Sequence, residues 1–143
     1  VYKGTGTFKA MYGGTGAATI TLTNGGKAVT IVKVTSAAGV DPKTSGRSVL
    51  DIVGEITDAG NTYNVTARFS VADAAFKDSA TLKVTKGGTN LIGALMGQNQ
   101  SGTKTWTMGT LTGGALTLTK AGATKGAAVE GSFSGAWSTS GGK

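Results

Sequence analysis

The sequence predicts an all-β fold, an antiparallel β-sandwich or β-barrel of about nine to ten short strands. Three observations carry this expectation. Apolar and polar residues alternate with period two in one segment after another. Turn-forming glycines fall between those segments at short intervals. Glycine (25) and threonine (24) supply most of the polarity; threonine is β-branched and favours pleated strands, and glycine marks turns and bulges.

The elements follow in chain order. Tyr2–Tyr12 reads as a first strand, closed by a turn at Gly13-Gly14. In Thr19–Thr23, Ile20 and Leu22 point one way while Thr19, Thr21 and Thr23 point the other. Asn24-Gly25-Gly26 is a strong hairpin signal, because both turn residues tolerate positive φ. Residues 39–46 hold the only proline, Pro42, and read as an ordered surface loop. Leu50, Ile52 and Ile56 share one face of the next strand, with Asp51 and Glu55 opposite. After a turn at Ala59-Gly60-Asn61, residues 63–71 alternate strictly, with Tyr63, Val65, Ala67, Phe69 and Val71 on the apolar face. Residues 71–79 form one helical turn around Ala74-Ala75-Phe76 or a compact loop that buries Phe76. Leu82 and Val84 mark a further strand, followed by a turn at Gly87-Gly88. A turn is also expected at Gly113-Gly114, before Leu116 and Leu118. Val129, Phe133 and Trp137 line one face of the last strand, with Gly131 and Gly135 between them. Glycines beside large aromatics let a strand bend.

The 143 residues are expected to form one domain, residues 1–143. A chain of that size hides roughly two-thirds of its unfolded surface without staples. No apolar run is long enough for a membrane-spanning helix. No secretory leader is visible, so an exported protein is read here in its mature form.

Composition narrows the chemistry. Cysteine and histidine are both absent. That removes thiol nucleophiles, thiolate metal sites, the neutral-pH proton shuttle and the commonest transition-metal ligand. No nucleophile elbow, phosphate loop or dinucleotide fingerprint occurs. Asp51 and Glu55 stand about 13 Å apart along one strand, too far for a carboxylate pair. Asp58, Asp73 and Asp78 lack the dense spacing of a calcium loop. No enzyme activity, cofactor or metal is therefore expected.

Net charge is +7, unevenly spread. Residues 1–50 carry six basic groups and one acid, residues 51–79 two and five, residues 80–143 six and one. The lysines are scattered. Of the nine aromatics only Tyr2, Tyr12 and Trp106 are candidates for exposed stacking, so nucleic acid is not the expected partner. Rows of Thr-x-Thr at 21–23, 105–107, 110–112 and 117–119 fit either ordinary strand alternation or a lattice of hydroxyls for ice or carbohydrate. Trp106 and Trp137, with Met96 and Met108, line either the core or a ligand cavity. Asn64-Val65-Thr66 and Asn99-Gln100-Ser101 match the glycosylation sequon. Two pairs of segments, 15–23 with 112–119 and 4–8 with 131–135, resemble each other; convergence on strand-forming letters accounts for this better than duplication does.

The leading expectation is a non-enzymatic, secreted or cell-surface structural protein. It self-assembles into a filament, pilus or virion by β-strand addition, using the first strand (Tyr2, Phe8, Tyr12) and the last (Val129, Phe133, Trp137), unless these two strands pair with each other and close the domain. The partners are then further copies of the chain. The alternative is a monomeric barrel or sandwich that binds a small ligand or a carbohydrate.

Overall fold

A computed structural model describes residues 1–58, 61–85, 87–99 and 105–138, and the side chains of all of these but 58, 61 and 105–108. Ten strands join one antiparallel sheet: β1 (Tyr2–Met11), β2 (Gly14–Asn24), β3 (Lys27–Val29), β4 (Ile31–Val40), β5 (Arg47–Asp58), β6 (Asn61–Ala72), β7 (Ala80–Lys83), β8 (Leu91–Asn99), β9 (Thr105–Ala121) and β10 (Ala128–Ser138). The sheet order is β1-β10-β9-β8-β6-β5-β4-β2, and β2 pairs back onto β1. Eight strands thus close a barrel, with β3 added beside β2 and β7 beside β9. The fold is a barrel and not a sandwich.

Alternation decides which side chains fill the interior. Phe8, Leu22, Leu50, Ile52, Val65, Phe69, Leu95, Leu116, Leu118, Val129 and Trp137 are all buried. Phe69 stands at the centre, 5.3 Å from the Phe133 ring and 6.0 Å from the Trp137 ring, both tilted as aromatic quadrupoles prefer. A 3-10 turn at Asp73–Ala75 delivers Phe76, 5 % exposed, against Tyr12. The helical turn and the burial of Phe76 expected for this segment occur together.

The turns follow the glycines, with one exception. Gly25 and Gly26 both take positive φ in the β2–β3 hairpin, where Asn24 pairs with Lys27. Gly113-Gly114, expected as a turn, lies inside the 17-residue strand β9. The first part of β9 pairs with β8 and the later part with β7, while β10 follows its other edge. Gly114, at φ +110, gives the long strand the freedom to bend between its partners. The turn expected at Ala59-Gly60 lies outside the described residues.

Two β-bulges fit β9 to β10, at Glu130/Gly131 and Ala136/Trp137. At each one a threonine of β9 ties down a β10 carbonyl. Thr119 Oγ1 donates to Glu130 O at 2.9 Å, and Thr112 Oγ1 donates to Ala136 O at 3.3 Å.

Candidate functional site

The strands expected to be offered to a neighbour are used inside the barrel. β1 pairs with β10 over Tyr2–Met11 and with β2 on its other edge; β10 pairs with β9 on its other edge. Phe8, Val129, Phe133 and Trp137 are buried, and Tyr2 and Tyr12 pack half-buried against the core. Neither strand has a free edge, because pairing with each other satisfies the backbone groups that strand addition needs. Trp137 is fully buried in the core. The side chains of Trp106 and Met108 lie outside the described residues. Asn64 is exposed on the outer face of β6; Asn99 ends β8 half-buried, and the rest of its sequon lies outside the described residues. Asp73 accepts from Ser48 and Asp78 accepts from the Ala121 N–H, so both carboxylates serve the fold. Among the described residues no three acids come together.

One end of the barrel carries a polar network. Arg47, 9 % exposed, donates to Ser70 Oγ and to Ser70 O, both at 2.8 Å. Ser70 Oγ donates in turn to Asp41. The backbone N–H groups of Lys43 and Thr44 also donate to Asp41, and Lys43 leads the causes that hold its carboxyl below the usual range. Beside it Tyr12 donates to Ser48, whose hydroxyl donates to Asp73 at 3.0 Å. Ser48 is fully buried. These bonds fix the 41–46 loop and the Phe76 segment over the barrel end.

The outer wall of β2, β1, β10, β9 and β7 is where hydroxyl groups gather. Register aligns them in rows that cross the strands. Thr19, Thr7, Ser132, Thr117 and Thr81 form one row on five neighbouring strands. Thr21, Thr5, Ser134, Ala115 and Lys83 form the next. On one flank run Thr23, Lys3, Ala136 and Gly113; on the other run Ala17, Lys9, Glu130 and Lys120. Neighbours within a row lie about 4.8 Å apart, and successive rows about 7 Å. Thr7 and Thr19 hydroxyls are 2.9 Å apart and bond each other, which fixes their rotamers.

Between the Thr5 and Lys3 rows the wall is thinned. Gly4, Gly135 and Gly114 stand opposite one another on β1, β10 and β9. A Cβ at Gly135 would meet the Trp137 ring at 2.6 Å, and one at Gly114 would run into the Ser134 carbonyl. Over this glycine row lies an open groove of about 360 Å³, lined by Lys3, Thr5, Thr21, Thr23, Ser134 and Ala136 among others.

Sequence reasoning picked out the Thr-x-Thr letters but not the rows. A row depends on register between distant strands, which period-two alternation does not encode. The spacing of Gly6-Thr7-Phe8 and Gly131-Ser132-Phe133 was the available signal, since it brings Thr7 and Ser132 opposite each other.

Comparison with protein families, with curated proteins and with solved structures returns no match.

Proposed function

We propose that this chain is a non-enzymatic binding module of a secreted or cell-surface protein, and that it holds a polyhydroxylated polymer, a glycan, against the β2-β1-β10-β9 wall. One observation carries the reading: the aligned hydroxyl row Thr19–Thr7–Ser132–Thr117–Thr81, backed by a second row and a groove. Hydroxyls are both donors and acceptors, as sugar hydroxyls are, so either partner can turn to suit the other. They also cost far less to desolvate than charges. A planar ice face fits the wall poorly, because neighbouring strands of a barrel rotate by about 20–25°.

A self-assembling filament, pilus or virion subunit is the weaker reading. It needs an open strand edge, and β3 and β7, the strands added outside the closed barrel, are three and four residues long.

Affinity electrophoresis against a panel of immobilised polysaccharides, with light scattering on the free protein, tests the choice. The binding reading expects a monomer that is retarded by at least one polysaccharide, and a Thr7→Val/Thr117→Val variant that is retarded less. A chain that polymerises and ignores every polysaccharide restores the assembly reading.

A further inference from the structure

Resting on the binding reading above, we infer that the polymer is acidic: the glycine-floored groove takes a sugar carboxylate, with Lys3 as its cation and Thr5, Thr21, Thr23 and Ser134 around it. The wall carries Lys3, Lys9, Lys83 and Lys120 among the described residues, against Glu130 alone. The four lysines are exposed, and among the described residues none lies within ion-pairing distance of an acid, although Glu130 stands between Lys9 and Lys120 in the register; the ion pairs Lys33–Glu55 and Arg68–Asp51 lie on the opposite wall. A surface with that imbalance concentrates anions.

The remaining features separate this partner from others. A neutral glycan bound by stacking needs an exposed ring, and single-stranded nucleic acid needs several. The four wall rows contain no aromatic residue. A protein partner needs a buried apolar or aromatic anchor; the apolar side chains in the rows are alanines, Ala17, Ala115 and Ala136. Lysine is a point charge with three donors, suited to one carboxylate among hydroxyls whose orientation varies. A side chain at Gly135 would strike the Trp137 ring inside the barrel and one at Gly114 the Ser134 carbonyl, so the backbone beneath the groove stays bare at both positions.

The test is isothermal titration with polygalacturonate and with the same polymer after its carboxylates are reduced to alcohols. The expected result is binding to the acidic polymer and at least tenfold weaker binding to the reduced one. Lys3→Gln should weaken acidic binding severalfold and flatten its salt dependence, while Lys43→Gln, in the loop at the barrel end, should leave it unchanged. Equal binding of both polymers, lost on Thr7→Val/Thr117→Val but not on Lys3→Gln, overturns the acidic inference and keeps the glycan reading. No binding to either polymer overturns this inference; it overturns the glycan reading too if the wider panel of neutral polysaccharides is also ignored. Tighter binding of single-stranded DNA than of polygalacturonate at equal salt also overturns it.

Discussion

Phe133 lies over Gly6, its partner across the β1–β10 ladder, and Phe8 lies over Gly131 in the same way. A Cβ on Gly6 would stand 2.8 Å from the Phe133 ring and collide with the Thr19 carbonyl. A Cβ on Gly131 would stand 3.0 Å from the Phe8 ring and collide with the Thr117 carbonyl. The two exchanges are reciprocal. Each ring covers the backbone that the opposite glycine leaves bare, and together they pack β1 against β10.

Gly6→Ala and Gly131→Ala are therefore each expected to destabilise the fold by about 1–3 kcal/mol, the usual cost of forcing extra volume into a packed site. Urea unfolding checks this. Tolerance of both substitutions within 0.5 kcal/mol, on the ordinary scale of neutral surface changes, would contradict the packing described.

Much of this was legible in the sequence, and the limit is instructive. The inward residues Leu50, Ile52, Phe69, Leu116, Val129 and Trp137 all follow from alternation. The paired glycines and rings were visible as two similar segments, but not as partners. Pairing of β1 with β10 joins the two ends of the chain, and no local signal specifies a contact of that separation. The same gap bears on the assembly expectation: alternation shows that a strand exists, and it is silent on which edge is free. Gly113-Gly114 read as a turn because a bend inside a long strand uses the same residue as a reversal.

The bulge threonines give a second test. Thr119→Val removes the bond to Glu130 O while keeping the side-chain shape, and should cost about 1 kcal/mol. Thr5→Val, on the exposed wall, should stay within about 0.5 kcal/mol. Equal effects at the two positions would mean that the bulge bond contributes nothing.

Asp51 and Arg68 face each other across β5 and β6 with two bonds of 2.8 Å, Nε to Oδ1 and Nη2 to Oδ2. Asp51 comes first among the causes that raise the Arg68 pKa. The pair is partly solvated, so Asp51→Ala should cost about 1–2 kcal/mol, below the figure for a fully buried pair. A double-mutant cycle with Arg68→Ala measures the coupling directly; a coupling near zero would make the pair incidental.

Acid should loosen the barrel end. The folded Asp41 carboxyl sits below its unfolded value of about 3.9, chiefly through the Lys43 N–H. A lowered folded value means stability that is present above the unfolded pKa and lost as pH falls through the folded one. The stability difference between the wild type and Asp41→Asn should therefore shrink as pH drops below about 4. A difference that stays constant from pH 6 to pH 2 would show that the carboxylate charge is not used there.

The most direct test of the whole account is amide chemical-shift mapping during titration of the labelled protein with polygalacturonate. Shifts are predicted to concentrate at Lys3, Thr5, Thr7, Thr21, Ser132 and Ser134 on the β2-β1-β10-β9 wall. Shifts centred instead on the opposite wall, around Glu55, Thr66 and Arg68, would contradict it.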